Sequence, residues 1–395
     1  MAKISWLVPS LIEGSGGHRT ILQNAEYLQR NGFSTTIYLE NSNGMSSKGS
    51  AADFVESVFG YRFEDVRIGW DAIEPCDLVV ATVWYSAKVV RDIAFPCRKL
   101  YFVQDWEAAF NPMGDTYLMA ENSYRYGLTP ITIGRWLRHE LDARFSVKGA
   151  HFDFCADTSI YRPLSNVQKE LAICFICQPE KPRRGAHLGI EALGIVKHLM
   201  PEVKIYLYGS RTKANVWFDH IDLGLLDLNE CNALYNRSAV GFCISSSNPS
   251  RIPFEMMASG LPVVELHREN TLYDLPQGAT LLCDQTAESL AEGLITLLRD
   301  EGRRASMSRA AVEFMADKPL EFGMKQFVQA VREIEARPIR SSLDGASIEP
   351  IYTDTPVVAS PFVSSLPKDY KTSMQSSKTR VRRSAFARLF SFATN

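Results

Sequence analysis

One glutamate in the second half of the chain lies in a segment whose residue pattern could position a carboxylate for chemistry. Glu255 lies in the segment 245–266, SSSNPSRIPFEMMASGLPVVEL, which is predicted to form a loop, a short helix and a buried strand. Pro253 favours the first turn of the helix, Gly260 favours its end, and the helix dipole favours a carboxylate near its start. Such an acid can accept hydrogen bonds from ribose hydroxyls beside backbone amides that receive phosphate. An ordinary capped helix explains the same pattern equally well.

Three cations stand close together in the same half of the chain. Lys181, Arg183 and Arg184 belong to the sequence KPRRG, directly after one predicted strand and before a predicted helix. Cations there can neutralise a diphosphate, and arginine can bind it in bidentate fashion. Taken alone, the loop could equally be a solvated basic turn. Together with Glu255 it predicts a site for a ribose and a diphosphate.

A third group of polar and aromatic residues follows a predicted strand in the first half. Asp105 and Glu107 alternate with Trp106 and precede Phe110 in the sequence QDWEAAFNP. Ligands of α/β sheets bind at the carboxyl ends of the strands. Carboxylates bind sugar hydroxyls and aromatic faces pack on sugar C–H surfaces, so the group favours a carbohydrate site; a surface turn is the alternative. No Asp-x-Asp pair occurs in the sequence, and no metal site is predicted.

A glycine-rich loop near the start suits close backbone approach to an anionic ligand. Gly16 and Gly17 follow the first predicted strand, but Arg19 stands where a dinucleotide fingerprint would have its third glycine. The loop also begins well after the strand ends, so the turn is not tight. No dinucleotide or other cofactor is therefore predicted.

Length and composition favour a globular protein with two domains. The chain has 395 residues, of which 46% are hydrophobic and 22% charged, so it can build two cores. A net charge of −2 gives no electrostatic footprint for nucleic acid. Several of the 8 cysteines lie in apolar runs, as is typical of reduced thiols in a cytosolic protein. No signal peptide and no membrane span is predicted, and the expected location is the cytoplasm.

Strands alternate with helices along most of the chain, which predicts βαβ units and parallel sheets. The fold class is therefore α/β, with two Rossmann-like halves facing a cleft. The predicted division is a Rossmann-like domain at 1–163, which the resemblance described next makes the acceptor side, a second Rossmann-like domain at 164–320, which it makes the nucleotide-sugar side, a helix crossing back at 321–339 and a disordered tail at 340–395.

Four features of the sequence occur together: the early Gly-Gly pair, the strand–Arg-Gly–helix loop, the sequence YLYGS at 206–210 and the sequence PFEMMASGLPVV. With them, the chain resembles the GT-B glycosyltransferases of family 4 over residues 1 to about 335. The sequences QDWEAAFNP, LMAENSYRYG and ITIGRWL are similar to bacterial rhamnosyltransferases that assemble surface polysaccharides and S-layer glycans.

The resemblance implies a retaining, metal-independent transfer of a sugar from a nucleoside diphosphate to a hydroxyl of a glycan or lipid-linked glycan. It assigns the diphosphate to Arg184 with Arg183 and Lys181, and the ribose to Glu255, the second acid of the family's Glu-x7-Glu motif. Other residues implied on the donor side are Gly16, Gly17, Gly209 and Ser247. Asp105 and Glu107 fall where the family places polar residues on the acceptor side, and we count them with Arg184 as candidate catalytic residues.

Two departures bear on the identity of the donor. Ser247 stands where the family has the first acid of its motif, and Gln178 stands where an arginine is usual at the strand end. Both changes suit a donor other than an ordinary hexose, such as L-rhamnose on dTDP. A catalytically silent nucleotide-sugar-binding scaffold and a GT-B sugar-nucleotide epimerase are the alternatives.

The end of the chain interleaves cations with apolar residues. Five cations alternate with Phe386, Leu389, Phe390 and Phe392 in the segment 378–392. This pattern suits a basic amphipathic helix on an anionic membrane surface, which would make the protein peripheral at the inner face of the membrane. A solvated tail without a partner is the alternative.

Overall fold

The first half of the chain forms one parallel sheet in a computed structural model that describes residues 1–40, 48–338 and 347–366. Its elements are β1 (Lys3–Val8), α1 (Gly16–Arg30), β2 (Ser34–Leu39), α2 (Lys48–Phe59), β3 (Asp65–Ile68), β4 (Leu78–Ala81), α3 (Trp84–Asp92), β5 (Arg98–Val103), α4 (Asp115–Ser123), β6 (Thr129–Ile133), α5 (Arg135–Phe145) and β7 (Ala150–Phe152). The strand order is β3-β2-β1-β4-β5-β6-β7. All neighbouring strands are parallel.

The second half forms another parallel sheet, with the order β10-β9-β8-β11-β12-β13. Its elements are β8 (Ala172–Ile176), α6 (Ala186–Leu199), β9 (Lys204–Tyr208), β10 (Ile221–Asp222), α7 (Leu228–Arg237), β11 (Val240–Phe242), α8 (Ile252–Ala258), β12 (Val263–Leu266), α9 (Glu269–Leu272), β13 (Thr280–Cys283), α10 (Ala287–Arg299), α11 (Glu301–Met315), α12 (Leu320–Ala336) and α13 (Pro361–Ser364). The predicted α/β class is confirmed. No helix among the described residues combines the length and apolar character needed to cross a bilayer.

Both sheets are covered by helices on their two faces, which explains why their strands read as continuous apolar runs. The central strands β4, β8 and β12 are buried along their whole length. Helix α12 returns to the first half and packs on β7 and α1. There Phe327 contacts Trp6 and Phe102, with ring centroids 5.8 and 5.3 Å apart. Arg98 at the start of β5 donates to the carbonyl of Ile334 at 2.8 Å and so holds the end of α12.

Residues 347–366 form an ordered strap, where the sequence predicts a disordered tail from residue 340. The backbone of Val357 pairs with the free edge of β13, donating to Leu282 O at 3.0 Å and accepting from Asp284 N at 2.9 Å. Tyr352 is buried, and its hydroxyl accepts from Leu282 N at 3.2 Å. A few isolated apolar residues suffice here because the sheet edge supplies the backbone partners. The predicted basic end at 378–392 lies outside the described residues.

Glu107 lies at the start of a short 3₁₀ turn after β5 and is enclosed by the first domain. Only 4% of the residue is exposed, and the carboxylate accepts from Trp84 N, at the start of α3, at 2.6 Å. Burial raises the pKa of this carboxyl to about 8, while hydrogen bonds from Trp84 N and the Tyr101 hydroxyl oppose the rise. The sequence predicts contact between Glu107 and the sugar-accepting substrate. This placement does not fit that contact, because the side chain joins β5 to α3 inside the domain.

The two halves meet where α5 begins. The Asp274 carboxylate, from the second half, accepts from Arg135 N at 2.8 Å and from Trp136 N at 3.2 Å. It thereby caps the start of α5, and burial raises its pKa to about 6. The preceding Gly134 has a φ of +84°, and a Cβ atom there would lie 2.5 Å from the Phe154 ring and 2.9 Å from the Asp274 carboxylate. This corner of the interface therefore requires glycine.

We expect Gly134→Ala to lower the midpoint of thermal unfolding well beyond the effect of Gly69→Ala. Gly69 is the matched control, because its φ of +88° is also left-handed but a Cβ atom added there would have no atom within 4 Å. Backbone strain alone costs about 1 kcal/mol, whereas the added clash at Gly134 brings the loss to about 3 kcal/mol. Equal losses in the two variants would show that the interface corner is not closed as described.

Glu107→Gln is expected to gain stability relative to the wild type as the pH rises. A buried carboxyl with a raised pKa makes its full contribution to the stability of the folded state below about pH 4.5, where it is protonated. That contribution is lost as the pH rises through about 8, because the buried group must then ionise. The variant cannot ionise, so its free energy of unfolding in urea should exceed that of the wild type by a margin that grows over this window by roughly 3–5 kcal/mol. Glu64→Gln, at an exposed site, is the control. A constant margin from pH 5 to pH 9 would contradict the assignment.

Candidate active site

The carboxyl ends of both sheets border the same interface between the two halves. From the first half come Gly17 at the start of α1 and Gln104 and Asp105 after β5. From the second half come the 3₁₀ turn Pro182–Arg184 after β8 and the loop 245–250 after β11. In open α/β sheets this is the edge where ligands bind. The candidate residues of both halves therefore lie at one interface.

Arg184 is fixed at this interface by the loop after β11. Only 9% of the residue is exposed, and Nη1 donates to Ser245 Oγ and to Asn248 O, both at 3.2 Å. Gly185 ends the 3₁₀ turn with a φ of +55°, and a Cβ atom there would lie 2.2 Å from Ile244. The glycine therefore lets the turn approach the end of β11 closely enough for these hydrogen bonds. The result is a nearly buried cation in a fixed orientation.

Arg183 lies beside Arg184 but faces an aromatic ring of the first half. Its guanidinium carbon is 4.1 Å from the centroid of the Phe110 ring, a cation–π contact. Burial lowers the pKa of Arg183, and the Asp105 carboxylate opposes that effect. Two guanidinium groups thus lie side by side at the interface, where a compact dianion could bind both.

Asp105, which belongs to the first half, contacts these two cations of the second half. Its Oδ2 lies 3.4 Å from Arg183 Nε and 3.8 Å from Arg184 Nη2. Its Oδ1 accepts from Trp106 N and from Asn248 N, each at 2.8 Å. Only 6% of Asp105 is exposed. The carboxylate is therefore an ion-pair partner of both arginines and a hydrogen-bond acceptor for the opposite loop.

Asn248, which was not singled out from the sequence, connects the loop after β11 in the second half to the first half. Its Nδ2 donates to Gln104 O and to Ile133 O, both at 3.0 Å, and so binds the carboxyl ends of β5 and β6. The residue is fully buried. In the sequence, the position of Asn248 directly after Ser247 was the available indication of a role at the site. The fold is needed to show that a loop of one half meets two strand ends of the other.

A buried scaffold shapes the loop that carries Ser247. Oε1 of Glu265 on β12 accepts from Ser245 N and Leu266 N, each at 2.8 Å. The side chain of Asn270 donates to Ser245 O at 3.0 Å and also to Ser247 O. Ser247 is 1% exposed, and its hydroxyl oxygen has no hydrogen-bond partner in the described structure. The loop geometry is thus set by Glu265 and Asn270, and neither was singled out from the sequence.

Glu255 lies on α8, in a second polar cluster of the interface. Its carboxylate is half-buried and hydrogen-bonded to the hydroxyl of Tyr161. Burial raises the pKa of Glu255 to about 7, while the charges of Arg251 and Arg19 lower it. Arg19 belongs to α1 of the first half, and Arg251 reaches that half by donating to Gln23 Oε1 at 3.2 Å. The acid therefore has cations from both halves near it.

The remaining predicted residues lie around these two clusters. Gly16 opens α1, and the nearest atom to a Cβ at Gly17 would be Nε2 of Gln104, at 3.8 Å. Lys181 is half-buried beside the arginines, and burial lowers its pKa. Gly209 follows β9, where its carbonyl accepts from Gln178 Nε2 at 2.9 Å. No group of His, Cys, Asp and Glu residues with metal-binding geometry occurs among the residues described.

Comparisons of the sequence with known proteins find a matching family model and a relative in O-antigen biosynthesis. Residues 171–295 match the family of the WsaF C-terminal domain. The chain is 26% identical over 362 residues to the O-antigen biosynthesis protein RfbC of Myxococcus xanthus, covering 87% of this chain. It spans only 28% of the length of that relative.

Comparisons of structure find GT-B proteins over most of the chain. A TarM variant from S. aureus, solved with fondaparinux, alpha-GlcNAc-glycerol and UDP, has a TM-score of 0.64 at 9% identity and covers 85% of this chain and 100% of its own. HepE of Anabaena, solved with UDP and glucose, has a TM-score of 0.61 at 14% identity, with coverages of 84% and 99%. Sucrose-phosphate synthase from Thermosynechococcus elongatus has a TM-score of 0.61 at 15% identity, with coverages of 85% and 100%. The chain therefore has the GT-B fold, as the sequence predicts.

Proposed function

We propose that this chain is a glycosyltransferase that moves a sugar from a nucleoside diphosphate to a hydroxyl of a growing surface glycan. The observation that carries the proposal is the pair of guanidinium groups of Arg183, which is half-buried, and Arg184, which is nearly buried, at the sheet edge where GT-B proteins face their cleft. The similarity to an O-antigen biosynthesis protein supports the glycan as the acceptor class.

The arginines are assigned to the diphosphate of the donor. Breaking the bond between the sugar and the diphosphate leaves negative charge on the leaving oxygen, and fixed cations in a water-poor site offset that charge. Arg184 is held in place by Ser245 and Asn248, so little reorganisation is needed when the charge develops. Lys181 adds a third cation near the same turn. The proposal assigns the leaving group to these side chains, without a metal ion.

Glu255 is assigned to the nucleoside. Its carboxylate can accept from the ribose hydroxyls, and its partner Tyr161 fixes its orientation. Gly16 and Gly17 at the start of α1, and Gly209 at the carboxyl end of β9, are assigned to close approach of the backbone to the donor. Ser247 is assigned to the sugar side, where its unpaired hydroxyl oxygen needs a partner.

The acceptor is assigned to the first domain, beside the strand ends that carry Gln104 and Asp105. Closure of the two halves over both substrates would exclude water and limit hydrolysis of the donor. We propose retention at the anomeric carbon, as in the family that the sequence resembles, and assign no covalent nucleophile. Glu107 is left out of the acceptor site because it is enclosed.

L-Rhamnose from dTDP-L-rhamnose is the donor we favour. The shortened Ser247 lacks the carboxylate that an ordinary hexose donor would meet in the resembling family, and a 6-deoxy sugar suits that loss. The match to the WsaF C-terminal domain and to an O-antigen biosynthesis protein supports surface glycans as the context. A silent scaffold would bind the nucleotide without turnover, and an epimerase would change the sugar without an acceptor.

Arg184→Ala should reduce kcat/KM for sugar transfer by about 100-fold or more, since one fixed donor aimed at developing charge is worth that much. The Glu255→Ala variant is expected mainly to raise KM for the donor, by about 10-fold, because the ribose contact is present before and during transfer. Arg211→Ala, at an exposed position after β9, is the matched control and should leave both constants unchanged.

The readouts are release of nucleoside diphosphate with and without a glycan acceptor, and thermal shift against dTDP, UDP, GDP, ADP and NAD. A shift with dTDP that is lost in both site variants supports the donor assignment. A shift with UDP or GDP alone would overturn the rhamnose assignment and keep the transferase. Nucleotide binding without acceptor-dependent turnover would favour the silent scaffold instead.

A further inference from the structure

The anion site proposed for the donor already contains an anion of the protein itself. Asp105 Oδ2 lies 3.4 Å from Arg183 Nε and 3.8 Å from Arg184 Nη2, and these three side chains come from both halves of the molecule. The exposures of Arg184 and Asp105 are 9% and 6%. A nucleoside diphosphate that binds Arg184 therefore meets the Asp105 carboxylate at the same guanidinium group.

The ion pair is part of a larger clasp, defined here as Asp105, Asn248 and the two arginines. Asp105 accepts from Asn248 N at 2.8 Å, and Asn248 in turn donates to Gln104 O and Ile133 O. The clasp joins the carboxyl ends of β5 and β6 to the loop after β11. Moving the Asp105 carboxylate away from the arginines thus also removes the acceptor of Asn248 N, so the pair and the loop contact change together.

A carboxylate and a diphosphate cannot share the two arginines without strong repulsion. Like charges at such separations in a poorly solvated site disfavour each other, whereas leaving either arginine buried without an anion is also costly. One anion has to replace the other. We infer that Asp105 is an internal counter-anion of Arg183 and Arg184, which the donor diphosphate displaces, so that donor entry is coupled to release of the clasp.

In the unliganded enzyme, the clasp keeps the arginines paired with a protein carboxylate until a donor supplies a stronger, dianionic partner. Displacement then frees a carboxylate of the first domain beside the site where the acceptor is proposed to bind. The inference rests on the proposed function for the identity of the anion, but its test needs no acceptor.

The test measures binding of inorganic pyrophosphate and of dTDP and UDP by calorimetry. Asp105→Asn keeps an oxygen that can accept from Asn248 N and removes the competing charge, so we expect it to bind pyrophosphate about 10-fold more tightly than the wild type. The matched control is Asp115→Asn, an exposed acid on α4 of the same domain, which should bind like the wild type. Arg184→Ala should lose binding.

Hydrogen exchange supplies a second readout that does not depend on ligand affinity. Without ligand, backbone amides of 245–250 should exchange faster in Asp105→Asn than in the wild type, since the ion pairs that close the interface are gone. Added pyrophosphate should raise the wild-type exchange of the same segment toward that of the variant, whereas the segment 204–208 on β9 should not change.

The outcomes separate the two proposals. Equal or weaker pyrophosphate binding by Asp105→Asn, with binding still lost in Arg184→Ala, would overturn the counter-anion and leave the donor site standing. Unchanged exchange of 245–250 in Asp105→Asn would overturn the coupling to the clasp. A folded wild type that binds neither pyrophosphate nor any nucleoside diphosphate would overturn both the counter-anion and the proposed function.

Discussion

A guanidinium group that is nearly buried must have an anion beside it, and the interface between the two halves is built around this requirement. Arg183 and Arg184 belong to the second half, yet the nearest carboxylate, Asp105, belongs to the first. Neither half can therefore satisfy the charges of the site alone. The same requirement makes the site receptive to a diphosphate, because a dianion can satisfy both cations at once.

The surrounding structure serves to hold these groups at one sheet edge. Glu265 and Asn270 fix the loop after β11, and that loop holds Arg184 through Ser245 and Asn248. Asp274 caps α5 across the interface, while α12 and the strap 347–366 carry the chain from one half to the other and back. The pairing of ions at the site is thus supported by contacts that are spread over both sheets.

Local sequence patterns predicted what depends on local rules. Alternating strands and helices indicated the α/β class, and the cations after a strand were expected at a ligand-binding edge. The side-chain partners could not be predicted, since Asp105 and Asn248 are 143 residues apart in sequence and meet only through the packing of the two sheets. The burial of Glu107 could not be predicted, because alternation with Trp106 looks the same on a surface loop and inside a domain. The strap was missed because its pairing depends on the free edge of β13 rather than on its own composition.

A crystal structure of the protein with dTDP or UDP would test most directly whether the donor diphosphate replaces Asp105 at the two arginines. We expect diphosphate oxygens within about 3 Å of guanidinium nitrogens of Arg183 and Arg184. We also expect that the Asp105 carboxylate has moved away from both arginines, and that the ribose hydroxyls contact Glu255. A nucleotide bound elsewhere, or bound with the contacts between Asp105 and the arginines unchanged, would show that the diphosphate does not take the place of Asp105.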